Sequence, residues 1–130
     1  THHLITAGDV LVARMDHPGA EVLVHPECRP EVIGLADKVF STDGMIKYAR
    51  EAKNDLIIGT EAGIIHRLKK ENPRIRYYPV SSYVTCPNMK MNTLETVRDS
   101  LRDMKTQVKV PENIRIRAKK ALDRMLEVGR

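Results

Sequence analysis

The sequence predicts an α/β fold, a three-layer αβα domain with a short, mainly parallel sheet. One observation is alternation, because short apolar runs of strand character alternate with segments of helical periodicity over residues 1–83. Such alternation is typical of parallel βαβ units. The other is composition, since 130 residues with 42% hydrophobic content can bury a core of ordinary size. We therefore expect a globular α/β domain followed by a helical C-terminal segment.

The predicted elements follow one another closely, and capping or turn residues separate them. Thr6 and Ser41 stand where a hydroxyl can cap a helix, and Pro30 suits the first turn of another. In chain order we expect a helix over 6–17, a strand over 21–24, a helix from Pro30, a strand over 39–40, a helix from Ser41, a strand over 55–58, a turn over 59–63 leading into a helix, and a strand over 74–78. Beyond a loop over 81–92 we expect a helix capped by Asn92 or Thr93, a short strand over 108–110 and an amphipathic helix from Pro111.

Polar side chains follow several of the predicted strands. These residues are His25, Glu27, Ser41, Thr42, Thr60 and Glu61. Ligands of open parallel sheets bind at the carboxyl ends of the strands, where helix N-termini present free N–H groups. His25 and Glu27 together suit general acid–base chemistry on a carbonyl substrate, or are ordinary polar residues of a surface loop. Ser41 and Thr42 either hold a phosphate or carboxylate or simply cap a helix.

The two cysteines, Cys28 and Cys86, are not expected to form a disulfide in a chain of intracellular character. Cys86 precedes Pro87 in a predicted loop. Iron–sulfur ligands are often followed by proline, but a cluster needs about three or four ligands. Cys86 is therefore either a metal ligand or an inert, buried thiol.

The charge of the chain is uneven. Residues 90–130 carry 11 basic and 6 acidic side chains, whereas residues 1–89 carry 11 of each. A basic tail can contact nucleic acid or an acidic protein, but no aromatic or glycine-rich nucleic-acid motif accompanies it, which favours a solvated helix face. No apolar run approaches the roughly 20 residues of a membrane-spanning helix, and the N-terminus lacks the pattern of a signal peptide. We therefore expect a cytoplasmic protein that binds neither membrane nor nucleic acid.

Three stretches of sequence, taken in order, resemble one known family. They are residues 24–28 with Ser41 and Thr42 following, residues 57–64, and residues 86–91. Their order and spacing resemble quinolinate synthase, the A protein of de novo NAD biosynthesis. The resemblance continues through residues 110–112 to the final amphipathic helix, so it covers the whole chain.

The resemblance implies a [4Fe–4S] enzyme that condenses iminoaspartate with dihydroxyacetone phosphate to give quinolinate. In this family three similar α/β domains surround the cluster, and three cysteines hold it. Cys86 matches the last of these cysteines, whereas the second would fall just before Thr1 and the first far upstream. Residues 1–83 would then be the third domain. Residues 84–130 would carry the ligand loop and a segment that packs on a first domain in the rest of the same polypeptide, so the chain alone is expected to be inactive.

The resemblance also implies roles for individual residues. His25 and Glu27 would act on the triose and the condensing intermediate, with Glu27 a candidate for proton transfer. Ser41 and Thr42 would bind the phosphate or a product carboxylate, and His3 would line the cavity. The competing hypothesis is a stand-alone α/β binding module whose basic tail meets nucleic acid or an acidic protein. Its contact residues would be Arg115, Arg117, Lys119, Lys120 and Arg124.

Overall fold

The computed structural model describes residues 1–105 and 107–129. The chain divides into two compact units, Thr1–Lys90 and Met91–Arg130. Within the described ranges, every helix is too short or too polar to cross a bilayer.

The first unit is a parallel α/β domain, as the alternation of segments predicted. In chain order it contains a 3₁₀ turn at His2–Leu4, α1 (Ala7–Asp16), β1 (Glu21–Val24), α2 (Pro30–Ile33), β2 (Lys38–Val39), α3 (Thr42–Glu51), β3 (Leu56–Gly59), α4 (Ile64–Glu71), β4 (Tyr77–Pro79) and α5 (Pro87–Lys90). The four strands form one sheet in the order β2-β1-β3-β4, and each neighbouring pair is parallel. The predicted fold class is therefore confirmed.

Helices cover both faces of this sheet, which makes three layers. Successive side chains of a strand point to opposite faces. Val22 and Val24 of β1 pack in one fully buried cluster with Val10 of α1 and Val32 of α2. Leu23, which lies between them, packs in a second cluster. That cluster also contains Met45 of α3 and Leu68 of α4. Residues 22–24 of β1 and 56–58 of β3 are thus continuous buried apolar runs, as expected for a sheet covered on both faces.

The connections that leave β1 and β3 run to opposite faces of the sheet. The chain leaves β1 through α2, which belongs to the first cluster, and leaves β3 through α4, which belongs to the second. Neighbouring parallel strands with connections of this kind open a crevice between their carboxyl ends. This crevice positions the candidate site.

Gly59 permits the close approach of the two strands at that crevice. It lies opposite Val24 in the register of β1 and β3. A Cβ atom at position 59 would come within 2.7 Å of Val24 Cγ1 and 3.1 Å of the Leu23 carbonyl oxygen. Real Cβ atoms essentially never show a contact of 2.7 Å, so a side chain here would force Val24 or the strand ends to shift.

Predicted caps begin three of the helices. Thr6 accepts a hydrogen bond from the Asp9 N–H and forms a reciprocal capping box with Asp9 at the start of α1. Ser41 accepts from the Gly44 N–H at the start of α3. Thr93 caps the first helix of the second unit through the Thr96 N–H.

The described residues of the second unit form two helices, α6 (Leu94–Asp103) and α7 (Glu112–Val128). The strand predicted over residues 108–110 is wrong, because these residues belong to no regular element. The pattern Val-Lys-Val suits a strand, but a strand forms only where a neighbour completes its backbone hydrogen bonds. The predicted loop over residues 81–92 also needs correction, since its middle folds into α5.

The amphipathic stripe predicted on α7 is exposed. Its large apolar members are Ile114, Leu122, Met125 and Leu126. In the described residues of this unit, no hydrophobic side chain is buried. A helix pair of this size therefore presents an apolar surface that it cannot cover by itself.

Candidate functional site

The carboxyl ends of β1 and β3 bring polar residues from distant parts of the chain together. The loop after β1 carries His25 and Glu27, and the turn after β3 carries Thr60 and Glu61. The His25 backbone N–H donates to the Gly59 carbonyl oxygen at 3.2 Å, which joins the two loops at their base. We predicted that these side chains lie at one edge of the sheet. They come close together because β1 and β3 are neighbours in the observed strand order.

His2 lies at the centre of this group. Its Nδ1 is 2.9 Å from Glu27 Oε2, and its Nε2 is 2.9 Å from Thr60 Oγ1. Its ring stacks on that of His25, with centroids 4.2 Å apart and planes 5° from parallel. The structure thus joins the loop after β1, the turn after β3 and the N-terminal 3₁₀ turn through one imidazole.

The family resemblance implies that His3 lines the cavity. In the structure His3 is exposed and makes none of the described hydrogen bonds of this cluster. Adjacent residues of a 3₁₀ turn point in directions about 120° apart, so a His-His pair presents one ring to the sheet and the other elsewhere. The local sequence does not indicate which of the two histidine rings faces the sheet.

The surroundings of His25 favour its neutral form. Burial lowers the pKa of His25 below the usual 6.5, the nearby His2 lowers it further, and the Glu27 carboxylate opposes both. The Glu27 backbone N–H donates to His25 Nδ1 at 3.2 Å, which places the proton of the neutral ring on Nε2. The ring can therefore donate from Nε2, while the Glu27 side chain, 70% exposed, can accept a proton. This combination suits general acid–base chemistry.

Cys86 opens on the cavity that His2 lines. The cavity has a volume of about 490 Å³, and its wall also contains Thr42, Thr60 and Ile64. Hydrogen bonding to the Met89 N–H lowers the pKa of the half-buried Cys86 thiol, with smaller contributions that include the Thr1 hydroxyl and the Asn88 N–H. Since the thiolate is the metal-binding form of cysteine, this environment suits a ligand.

Cys28 has the opposite character. It is buried, its Sγ lies 3.5 Å from the Gly59 carbonyl oxygen, and burial raises the pKa of its thiol. A protonated thiol inside a core behaves as a small apolar residue. The two cysteines are therefore chemically distinct.

Ser41 and Thr42 occupy different positions although they are neighbours in sequence. Ser41 uses its hydroxyl to accept from the Gly44 N–H at 3.2 Å, which is helix capping. Thr42 lines the cavity together with His2 and Cys86. The structure thus brings Thr42 to the site, while the Ser41 hydroxyl is already engaged at the helix N-terminus.

The side chains of His2, His25 and Glu27 also meet the spacing of a metal site. Each offers one ligand atom, and these atoms lie within 4.8 Å of one another among the described residues. Histidine and glutamate donors suit zinc or non-haem iron rather than an iron–sulfur cluster, whose usual ligands are thiolates. The hydrogen bonds of His2 to Glu27 and Thr60 already account for this arrangement without an ion.

A second depression, of about 410 Å³, lies at the opposite, amino end of the strands. There Arg76 pairs with Asp55 at 2.8 Å, and the His17 ring stacks on Tyr78 with centroids 3.5 Å apart. These side chains already pair with one another. The carboxyl edge is therefore the better candidate for chemistry.

The fold and this edge define a class, an open-sheet α/β domain whose donor groups converge where the sheet connections diverge. Over residues 1–127 the chain matches the family described as Quinolinate synthetase A protein. The chain belongs to this family.

Individual relatives agree with the family match. A quinolinate synthase of Thermodesulfovibrio yellowstonii is 53% identical over 127 residues, which cover 97% of this chain and 42% of that protein. Quinolinate synthase 1 of Methanosarcina acetivorans is 52% identical and the quinolinate synthase of Caldicellulosiruptor bescii 51%, covering 98% and 99% of this chain. The chain spans less than half the length of these relatives.

Proposed function

We propose that this chain is the C-terminal part of a quinolinate synthase, which condenses iminoaspartate with dihydroxyacetone phosphate to form quinolinate for NAD biosynthesis. Family membership and relatives that carry this name support the proposal. The strongest structural support is that the proposed cluster ligand and the proposed acid–base residues meet at one end of the sheet. Cys86 and His2 line one cavity, and His2 is joined to the His25–Glu27 pair.

The cofactor we propose is a [4Fe–4S] cluster, with Cys86 as one of three thiolate ligands. The lowered pKa of this thiol and its position on the cavity wall fit that role. Ile64 and Met89 add apolar surface beside it, and such surface reduces solvent access to a metal centre. When bound, a cluster with one open iron position supplies a Lewis acid to the substrate.

The side chains of this chain would divide the remaining work. His25, held neutral, hydrogen-bonds the triose carbonyl or hydroxyl through Nε2, and Glu27 accepts a proton from the carbon beside the carbonyl. Thr42, with Ser41 beside it, binds the phosphate or a carboxylate through its hydroxyl. His2 holds Glu27 and His25 in relative orientation, and His3 is a further candidate for the cavity wall.

The same proposal assigns different roles to two parts of the chain. Residues 1–83 form one α/β domain of the enzyme, and residues 84–130 carry the cluster ligand and the segment that packs on the first domain. The rest of the polypeptide supplies the other two thiolates. Iron reconstitution of the 130-residue chain alone should therefore yield no stable cluster.

The alternative, a binding module with a basic tail, finds less support. Arg115 pairs with Glu112, Lys119 with Asp123 and Arg124 with Glu127, all within α7. Pairs of this kind are typical of a solvated helix face, and they partly neutralise the charge that nucleic acid would meet.

The test is turnover by the complete polypeptide after anaerobic reconstitution with iron and sulfide. It should form quinolinate from the two proposed substrates. His25→Ala should keep the cluster and lose turnover, and His66→Ala, on the exposed face of α4, is the matched control. Absence of quinolinate from the reconstituted wild type would refute the proposed activity, and full turnover by His25→Ala would refute the role of His25.

A further inference from the structure

Glu61 is a buried carboxylate that the proposed reaction does not use. The residue is 9% exposed and stands in the turn after β3. Its Oε2 accepts a hydrogen bond from the Gly63 N–H at 2.7 Å. Its Oε1 is buried and has no hydrogen-bond partner among the described residues, although Lys90 Nζ lies 3.3 Å away. A buried charge is costly unless an opposite charge compensates it, and the Lys90 ammonium is the group placed to compensate this one.

Lys90 connects this carboxylate to the metal-ligand loop. It ends α5, which begins directly after Cys86, and its backbone N–H donates to the Cys86 carbonyl oxygen at 3.3 Å. On the other side of Cys86, the Val84 carbonyl oxygen accepts from the Ala62 N–H at 2.8 Å. The loop that carries Cys86 is thus attached to the turn after β3 both before and after the cysteine.

Gly63 leaves room for this attachment. A Cβ atom at position 63 would lie 2.6 Å from Glu61 Oε2 and 3.0 Å from Lys90 Nζ. Both atoms are at the ends of flexible side chains, so a methyl group would move the ion pair rather than the backbone. The backbone of Gly63 itself is helical, with φ at −60°, and accepts alanine without strain.

We infer that Glu61 and Lys90 are positioning residues for the metal ligand. Their ion pair fixes the loop of residues 84–90 against the turn after β3, and so holds the Cys86 thiolate at the cavity. The inference rests on the proposed role of Cys86 as a cluster ligand. Exposed ion pairs contribute little, but this pair has a buried member and acts on a ligand-bearing loop, where outer-shell contacts strongly affect metal affinity.

Substitutions that remove one partner at a time test the inference in the complete, reconstituted polypeptide. Glu61→Gln retains an acceptor for the Gly63 N–H and loses the charge, and Lys90→Met retains the length of the side chain. Both should lose iron to a chelator roughly 10-fold faster than the wild type, as outer-shell variants of metal sites do. Lys90→Arg should restore a rate near that of the wild type. The double variant should be no faster than the faster single variant, because each single change already removes the shared contact.

Two glycine variants and one lysine variant serve as further probes. Gly63→Ala keeps both charges and should accelerate iron loss by displacing the pair. Gly8→Ala in α1, where a Cβ atom meets only ordinary contacts, should not. Lys47→Met, which breaks an exposed pair with Asp43, should also leave the rate unchanged. Circular dichroism and melting of the metal-free protein show whether each variant is folded.

The inference is overturned if Glu61→Gln and Lys90→Met release iron at the wild-type rate, or if their effects add in the double variant. It is also overturned if faster release merely follows a lower melting temperature of the metal-free protein, with Gly63→Ala behaving like Gly8→Ala. Cys86→Ser separates this inference from the proposed function. If Cys86→Ser keeps its iron, the ligand role fails. If it loses iron while the pair variants do not, only the positioning role fails.

Discussion

His25 lies where burial and a neighbouring imidazole both oppose its protonation. Nuclear magnetic resonance titration of the 130-residue chain should give a pKa below 6.5 for His25. Glu27→Gln should lower it further by removing a favourable negative charge, and His2→Ala should raise it. A pKa at or above 6.5, or shifts of the opposite sign, would contradict this account.

The same shift gives a sign for stability. A folded-state pKa below the unfolded value means that the unfolded chain binds the proton more readily. Well above pH 6.5, protonation of His25 does not affect the free energy of unfolding. As the pH falls from about 6.5, the ordinary histidine pKa, toward the pKa in the folded state, His25 increasingly lowers the free energy of unfolding. Below the folded pKa the cost is constant.

Single residues also show where a sequence stops being informative. His25 and Glu27 could be singled out because polar residues after a strand have a defined place in a parallel sheet. His2 could not, because its role depends on the direction of one side chain in a 3₁₀ turn. Lys90 needed the fold as well, since its partner Glu61 lies on another loop.

At the scale of elements, two neighbouring residues at the N-terminus of α3 have different roles, which the sequence did not distinguish. Ser41 caps the helix, and Thr42 faces the cavity. In the complete polypeptide, Ser41→Ala should lower the free energy of unfolding by about 1 kcal/mol with little change in KM. Thr42→Ala should instead raise KM for the phosphate-bearing substrate several-fold and leave stability nearly unchanged.

Chemical denaturation and steady-state kinetics measure both quantities on the same samples. If Ser41→Ala raised KM without loss of stability, the Ser41 hydroxyl would be a ligand rather than a cap. If Thr42→Ala left KM unchanged, its proposed contact with substrate would be wrong.

The helices and strands were largely predictable from the sequence, but which strands lie side by side in the sheet was not. Apolar runs and capping residues locate β1, β3 and the helices between them, because both signals are local. The order of strands is non-local, yet it decides that the loops after β1 and β3 meet. The failed strand at residues 108–110 shows the same limit, since strand-like residues need a partner that no local pattern supplies.

At the scale of the whole molecule, the exposed stripe on α7 should be buried in the complete polypeptide. Leu126→Lys should then destabilise the complete polypeptide by about 2 kcal/mol, the value of one buried leucine. In the 130-residue chain the same change should stay within about 0.5 kcal/mol, as for other surface substitutions. Lys120→Gln, also exposed on α7, is the control. Equal effects of Leu126→Lys in the two proteins would show that the stripe has no partner in the longer one.

Cys86 has a thiol with a lowered pKa and shares a cavity with His2, which contacts the proposed acid–base residues His25 and Glu27. The role of this thiol as a cluster ligand is the proposal on which the others depend. Its most direct test is the iron content and visible thiolate-to-iron absorption of the complete polypeptide carrying Cys86→Ser, with the buried Cys28→Ala as control. We expect Cys86→Ser to lose both signals and Cys28→Ala to retain them. A Cys86→Ser protein that keeps its iron and its absorption would contradict the assignment of Cys86 as a cluster ligand.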